Sequence, residues 1–278
     1  MFYVLQSAYN HDNLQGRRYK MAFLSVNFHS DVLGMAMTMN VILPQSAKTQ
    51  IGMASSDGAH CKTLFLLHGL SDDHTIWSRR TSIERYVAGK NIAVVMPAAH
   101  KSWYTDAVSG DRYMEYISKE IPAICRAMFR QMSDRREDNY IAGLSMGGYG
   151  ALKIALAMPE AFAGCAGLSG AYDVEKRFDR CPYDNANMVA VFGSKDNVRG
   201  SVNDVFSLAK KAAEGDGPKP RVYLWCGTED SLYPETIALG NILKDGGFDL
   251  SLNESPGRHE WFYWDREIAK AIDFLMKN

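Results

Sequence analysis

"YIAGLSMGGYGALKIA", residues 140 to 155, sets one serine between glycines at both second neighbours, with an apolar run before it and a helix-forming run after it. A strand that turns abruptly into a helix around Ser145 accounts for all three features, because Gly143 and Gly147 then lack the Cβ atoms that would collide with the facing backbone. Such a turn lifts the serine hydroxyl clear of the sheet. A bare hydroxyl is a poor nucleophile at neutral pH, so chemistry here requires an imidazole to take its proton and a carboxylate to orient the imidazole. Without those two partners the stretch is a Gly-rich turn that opens a helix.

The partners should follow the turn in the order acid, then histidine. Of seven histidines, only His259 follows, in "ESPGRHEWFYW", where Pro256 and Gly257 bend a loop between the last expected strand and the final helix. Asp230, in "LWCGTEDSLYP", stands just past a buried apolar strand. Glu229 is its rival. Asp230 is preferred because a shorter carboxylate further along the loop freezes fewer rotors in holding a ring. Attack on a carbonyl also creates an oxyanion, which needs preorganised donors. The Met146 N–H is one candidate, and the Leu70 N–H, just after Gly69 at the end of "KTLFLLHGL", is the other. His68 lies at that turn but precedes the serine, and reads as a loop anchor.

Outward from this centre, "KTLFLLHG", "IAVVMP", "NYIAG", "AGCAGLSG" and "RVYLWCG" are short, nearly continuous apolar runs ending in Gly or Pro, the signature of parallel strands buried on both faces. Helical stretches of crossover length separate them: Thr81 to Gly89, Arg112 to Met132, the run after Ser145 to Met158, "VFSLAKKAAEG" and "ETIALGNILKDGG". "FDLSLNES" reads as the last strand and "DREIAKAIDFLMKN" as a closing helix. Near the start, Phe23 to Phe28 and "MAMTMNVIL" alternate apolar residues like antiparallel strands. The expected fold is therefore α/β, a mostly parallel sheet with antiparallel N-terminal strands and helices on both faces. Residues 1–20 read as a loosely ordered extension and 21–278 as a single domain, interrupted by an irregular, lid-like excursion over about 173–203.

The chain has 278 residues, 46% of them hydrophobic, enough to bury one large core. Its net charge of -1 and short, scattered basic clusters give no footprint for nucleic acid. No apolar run is long enough for a signal-peptide core or a membrane span, and five widely spaced cysteines suit reduced thiols, so a cytoplasmic protein is expected. No His or Cys pair has metal-ligand spacing and "GLSMGGYG" lacks the Lys-Ser/Thr of a phosphate loop, so neither metal nor cofactor is expected. The expected partner is a small-molecule ester, with a homo-oligomer expected only on base rates.

In "SDVLGMAMTMNVILPQ", "LFLLHGLSDDHTIWSRRTSIERY", "SWYTDAVSGDRYMEYISKEIP", "IAGLSMGGYGALKIAL", "CGTEDSLY" and "GRHEWFYWD" the chain resembles the esterase D-like branch of the α/β-hydrolases, most closely its small bacterial tributyrin and feruloyl esterases. The likeness runs from Met21 to the C-terminus. It implies the α/β-hydrolase fold, Ser145 as nucleophile, Asp230 as acid and His259 as base, with Leu70 and Met146 at the oxyanion. It implies a serine carboxylesterase acting on short-chain or hydroxycinnamoyl esters through an acyl-enzyme. The same branch includes S-formylglutathione hydrolases, which typically carry Thr-Cys after the oxyanion-turn Gly-Leu; here Ser71-Asp72 stands instead. A third reading, from another class, is a non-catalytic binding protein on the same fold, against which three intact catalytic residue types argue. Trp77, Trp103, Tyr104, Tyr172 and Trp261 fall on loops at the sheet's ligand end and are candidate walls of an acyl pocket, set against the plainer reading that large aromatics fill the core.

Overall fold

A computed structural model describes residues 20–45, 60–180 and 185–277. The expected extension over 1–20 lies outside the described residues except for Lys20, as does Cys181. Strands β1 (Lys20–Ser30), β2 (Met35–Gln45), β3 (Lys62–Leu67), β4 (Ile92–Pro97), β5 (Asn139–Leu144), β6 (Gly164–Leu168), β7 (Arg221–Gly227) and β8 (Leu250–Ser255) form one sheet. Their order is β1-β2-β4-β3-β5-β6-β7-β8. The first two strands pair antiparallel, from Lys20 opposite Gln45 to Ser30 opposite Met35, and β2 pairs antiparallel with β4. Every later pairing is parallel.

The near-continuous apolar strands arise because both faces of the sheet are covered. In β3, Phe65 and Leu67 join one core cluster while Leu64 and Leu66 join the other. In β4, Ala93 and Val95 face the first and Val94 and Met96 the second. The first cluster is completed by α4 (Ile121–Met128), α5 (Met146–Ala157), α8 (Val205–Glu214) and α9 (Tyr233–Asp245). The second is completed by α1 (Ile76–Arg80), α2 (Ile83–Val87) and α10 (Trp261–Leu275). Burial of Cys61, Cys125, Cys165 and Cys226 pushes their thiols up, to about 11 for Cys61 and about 12 for Cys125 and Cys226, and leaves them unreactive.

Three expectations need correction. The helix expected over Thr81 to Gly89 is the shorter α2, preceded by a separate α1, because Thr81 is extended (φ -135, ψ 169) and breaks the run. The helix expected over Arg112 to Met132 starts as α3 (Tyr113–Glu115), passes through a π-turn at Tyr116–Glu120 and ends with α4 at Met128. The excursion over 173–203 is largely helical: α6 (Val174–Arg180), α7 (Asn185–Phe192) and a 3-10 turn at Lys195–Asn197. Its core residues Val174, Met188, Val191, Phe192 and Val198 sit in pieces too short to build a periodic signal.

The strand order also locates the crevice. From β3 the chain moves outward to β4, then crosses back to β5 on the other side of β3. Ligands of open α/β sheets bind outside the carboxyl ends of the strands at such a reversal. Those ends are adjacent, with Leu67 of β3 paired to Gly143 of β5.

Candidate active site

Ser145 caps the N-terminus of α5 with φ 52 and ψ -119, a left-handed conformation that a non-glycine residue adopts only under constraint. The constraint is visible in its bonds. Its N–H donates to Leu168 O (3.0 Å), and its carbonyl accepts from Tyr149 and Ala171 N–H (3.1 Å each). A Cβ on Gly143 would meet the Gly147 carbonyl at 2.4 Å, and one on Gly147 would meet the Leu67 and His68 oxygens at 2.5 and 2.6 Å. The two glycines are therefore required by close backbone approach at the turn.

Two later loops reach the same point. His259 follows β8 and Asp230 follows β7, on neighbouring parallel strands. His259 Nε2 lies 3.0 Å from Ser145 Oγ, and its Nδ1 lies 2.7 Å from Asp230 Oδ2. A carboxylate only accepts, so Nδ1–H donates to Asp230 and Nε2 is left to accept from the serine hydroxyl. Asp230 Oδ1 also accepts from the Leu232 N–H (2.9 Å). Burial alone would raise the Asp230 carboxyl, but the hydrogen bond and charge of His259, with the Leu232 N–H, outweigh it and hold the group below its ordinary range. Glu229, the rival carboxylate, is instead engaged at the surface by Arg258 (3.1 Å). Trp264 meets the His259 ring edge-on, with centroids 4.8 Å apart, and its indole N–H donates to Ser169 Oγ (3.2 Å).

The turn after β3 faces Ser145 from the other side. Among the described residues, no backbone or side-chain acceptor takes the N–H of Leu70 or of Met146. Both are thus available at the mouth of the site, as an oxyanion requires. His68 anchors the turn. Its Nδ1 lies 2.7 Å from Gly69 O, and its Nε2 accepts from the Ala99 N–H (3.0 Å), which makes it a neutral ring with its proton on Nδ1. Burial lowers its pKa to about 4, so it stays neutral at physiological pH. Asp72 closes the turn through its N–H to Gly69 O (3.2 Å), and burial raises its carboxyl.

Ser145 and His259 open on a cleft of about 280 Å³ walled by Leu70, Trp103, Met146, Met188, Leu232 and Arg177. Of the aromatic candidates, only Trp103 is part of this wall. Trp77 is 1% exposed, sits in the opposite core cluster and donates its indole N–H to Leu67 O (3.0 Å). Tyr104 is fully buried and donates its hydroxyl to His68 O (2.8 Å), supporting the turn from beneath. Trp261 packs edge-on against Trp77 and Trp264 rather than against the cleft, and Tyr172 is core. Each belongs to the packing reading.

Several residues in the wall carry no signal in the sequence. Arg177 and Met188 come from the excursion, on α6 and α7, and Leu232 from the loop that carries Asp230. Arg177 is paired with Glu235 of α9, both side chains nearly buried at 11% and 7% exposure. Beneath the wall, the fully buried Lys153 of α5 donates to Thr105 Oγ1, Trp103 O (3.3 Å) and Asn203 Oδ1 (3.3 Å). Burial holds this ammonium well below its ordinary pKa. It ties the serine's helix to Trp103 and Thr105, on either side of Tyr104, in a loop where Trp103 and Tyr104 are both at φ 52. Among the described residues no group of His, Cys, Asp and Glu side chains is arranged to hold a metal ion.

A mostly parallel eight-stranded sheet, helices on both faces and a serine at a strained strand-to-helix turn define an α/β-hydrolase. The Esterase family model, described as "Putative esterase", matches residues 30–275, and the chain belongs to this family. It is 33% identical to an acetyl esterase of Caldicellulosiruptor saccharolyticus over 265 residues, covering 92% of this chain and 99% of that one. Among solved structures it is similar to the fluorophosphonate-binding serine hydrolase F of Staphylococcus aureus, with TM-score 0.83, 33% identity and coverage of 93% and 99%. It is also similar to the S-formylglutathione hydrolase FrmB of Staphylococcus aureus, with TM-score 0.81, 34% identity and coverage of 93% and 100%. The chain is an esterase of the serine hydrolase type.

Proposed function

We propose that this esterase is a serine carboxylesterase for short or flat acyl groups, with Ser145 as nucleophile, His259 as general base and Asp230 as the group that orients it. The observation that carries this reading is the hydrogen-bonded chain from Ser145 Oγ through His259 to Asp230, at 3.0 and 2.7 Å. As Ser145 Oγ bonds to the ester carbonyl carbon, its proton passes to His259 Nε2, and Asp230 stabilises the resulting imidazolium. The carbonyl oxygen, now anionic, accepts from the Leu70 and Met146 N–H groups. Collapse breaks the carbon–oxygen bond to the alcohol, which leaves with the proton from Nε2. Water then attacks the acyl-serine by the same route in reverse and releases the acid.

The cleft's small size and mostly apolar wall favour acetyl to butyryl or flat hydroxycinnamoyl groups over long chains. Kinship to an acetyl esterase supports the same choice. Resemblance to an S-formylglutathione hydrolase keeps thioester hydrolysis as a second reading, since the same residues would perform it. Ser145→Ala and His259→Ala should each lower turnover by several orders of magnitude in folded protein, and the double variant should lose little more, because the pair acts as a unit. Single variants that retain more than about a tenth of the activity, or losses that multiply, refute the assignment. kcat/KM for p-nitrophenyl acetate and butyrate should exceed that for palmitate by at least about tenfold. A strong preference for S-formylglutathione over every oxygen ester selects the thioesterase reading.

A further inference from the structure

The wall of the cleft contains a cation that the ester chemistry does not use. Arg177 of α6 enters it with its side chain 11% exposed, and Glu235 of α9 fixes the guanidinium through Nη2. Glu235 is itself held, because its second oxygen accepts the Asp173 N–H. Glu235 is thus the acceptor the structure gives Arg177 among the described residues. Its Nε–H is buried with no partner, and the indole N–H of Trp103, another residue of the wall, is equally without one. Leu70, Met146, Met188 and Leu232 make most of the remaining wall apolar. Neither atom is open to solvent as the side chains stand, so a ligand oxygen reaches it only when the side chain turns toward the cleft, and the cost of an unpaired buried donor favours that turn.

The charge balance narrows what the acceptor is. Glu235 cancels the charge of Arg177, and Lys176 pairs with Asp173 beside them. A carboxylate brought to this wall would lie near Glu235 and meet an already neutralised cation. An uncharged oxygen meets donors and no net repulsion. Arg177 and Glu235 together therefore form a hydrogen-bonding subsite that discriminates against anions.

We infer that Arg177 determines substrate specificity by donating to an uncharged oxygen of the substrate, such as an ether or hydroxyl, remote from the reacting carbonyl, while Glu235 excludes acids. This rests on the reading of Ser145 as the nucleophile at the head of the same cleft. It sharpens that reading from esters with short or flat acyl groups to esters bearing a second, neutral oxygen.

Two matched pairs test it, each swapping one methylene for an ether oxygen. On the acyl side these are p-nitrophenyl 3-methoxypropanoate and p-nitrophenyl pentanoate; on the alcohol side, 2-methoxyethyl acetate and butyl acetate. The quantity read is the ratio of kcat/KM within a pair, so differences in overall activity between variants cancel, and intrinsic ester reactivity cancels on comparison with the parent. Arg177→Met alone would strand a buried Glu235 carboxylate and endanger folding, so the principal variant is Arg177→Met with Glu235→Gln, which is uncharged and keeps an acceptor for the Asp173 N–H. The ether-to-alkyl ratio should fall at least about fivefold in one pair or both, the loss expected for one hydrogen bond to a charged donor. Glu235→Gln alone should raise the rate on mono-p-nitrophenyl glutarate relative to pentanoate by a similar factor, because the guanidinium is then no longer neutralised. If both ether ratios stay within about twofold of the parent, or Glu235→Gln leaves the glutarate ratio unchanged, the inference is overturned. Ser145→Ala separates the two levels: activity surviving in that variant overturns the reading of the site itself, whereas its loss alongside unchanged ratios overturns only the role of Arg177.

Discussion

His68 couples the turn that carries Leu70 to pH. The ring is 1% exposed and neutral, with Nδ1–H directed at Gly69 O and Nε2 accepting from the Ala99 N–H. A second proton would sit on Nε2 and point at the Ala99 N–H, two donors facing each other in a dry site. Burial accordingly lowers the folded pKa from 6.5 to about 4. Between those values the unfolded chain holds the proton and the folded chain does not, so stability is complete above pH 6.5 and falls as the pH drops toward 4. Integrating this linkage from about pH 7.5 to about pH 5 gives a loss of about 2 kcal/mol from this one ring. His68→Gln places an amide oxygen near the position of Nε2, still able to accept from Ala99, and does not titrate. Urea unfolding of the parent and His68→Gln at the two pH values isolates the term, since carboxylates elsewhere titrate alike in both. The variant should lose about 2 kcal/mol less than the parent on acidification. Equal losses, within about 0.5 kcal/mol, would refute the argument. They would mean that the ring is solvated or paired otherwise, and that the turn does not depend on its neutral form.

Asp230→Asn should lower kcat by roughly 10³- to 10⁴-fold by leaving the His259 tautomer unfixed, whereas Glu229→Gln, which loses only a surface pair with Arg258, should stay within about twofold; steady-state rates on p-nitrophenyl acetate decide, and the reverse ranking would reassign the acid. Gly147→Ala drives a methyl into the Leu67 and His68 carbonyl oxygens and should destabilise by about 2 to 3 kcal/mol in denaturant unfolding, with kcat/KM falling further than folding alone explains because Leu70 lies just beyond His68. Lys153→Met leaves Thr105, the Trp103 carbonyl and Asn203 without their shared donor, and should lower stability by about 2 kcal/mol while raising KM through the loosened Trp103, measured by unfolding and by rates on the acetate and butyrate esters.

That Ser145, Asp230 and His259 come together was legible in the sequence because backbone geometry and chain order bring them to one point. The turn needs glycine at 143 and 147 for contacts between adjacent elements, and the acid and base must come from the loops after later parallel strands. The placement of Leu70 and Met146 beside Ser145 in the cleft was legible for the same reason, being fixed by position after β3 and β5. The aromatics were not. A loop position after a strand says which end of the sheet a side chain occupies, but not whether it turns up into the cleft or down into the core. Trp77 turns down to Leu67 O, Tyr104 turns in beneath His68, and only Trp103 reaches the cleft. Arg177 was hidden more completely, since its helix has seven residues and its partner Glu235 lies 58 positions away.

This division has a structural cause. Ser145, His259, Asp230 and the Leu70 and Met146 N–H groups, the residues of the proposed chemistry, all hang on the ends of β3, β5, β7 and β8, whose register is set by a continuous parallel ladder. Their relative positions change little unless the sheet itself changes. Arg177 and Met188 belong to the excursion between β6 and α8, which among the described residues pairs with no strand and is held by side chains and by the Val108 and Ser109 N–H groups donating to Val191 O (3.0 Å) and Ala190 O (3.2 Å). On the proposed reading, substitutions in the excursion should therefore act on which ester is accepted, whereas substitutions at the strand ends should act on whether any ester is cleaved. A change in α6 or α7 that lowered turnover equally on every ester, without altering their ranking, would contradict this separation.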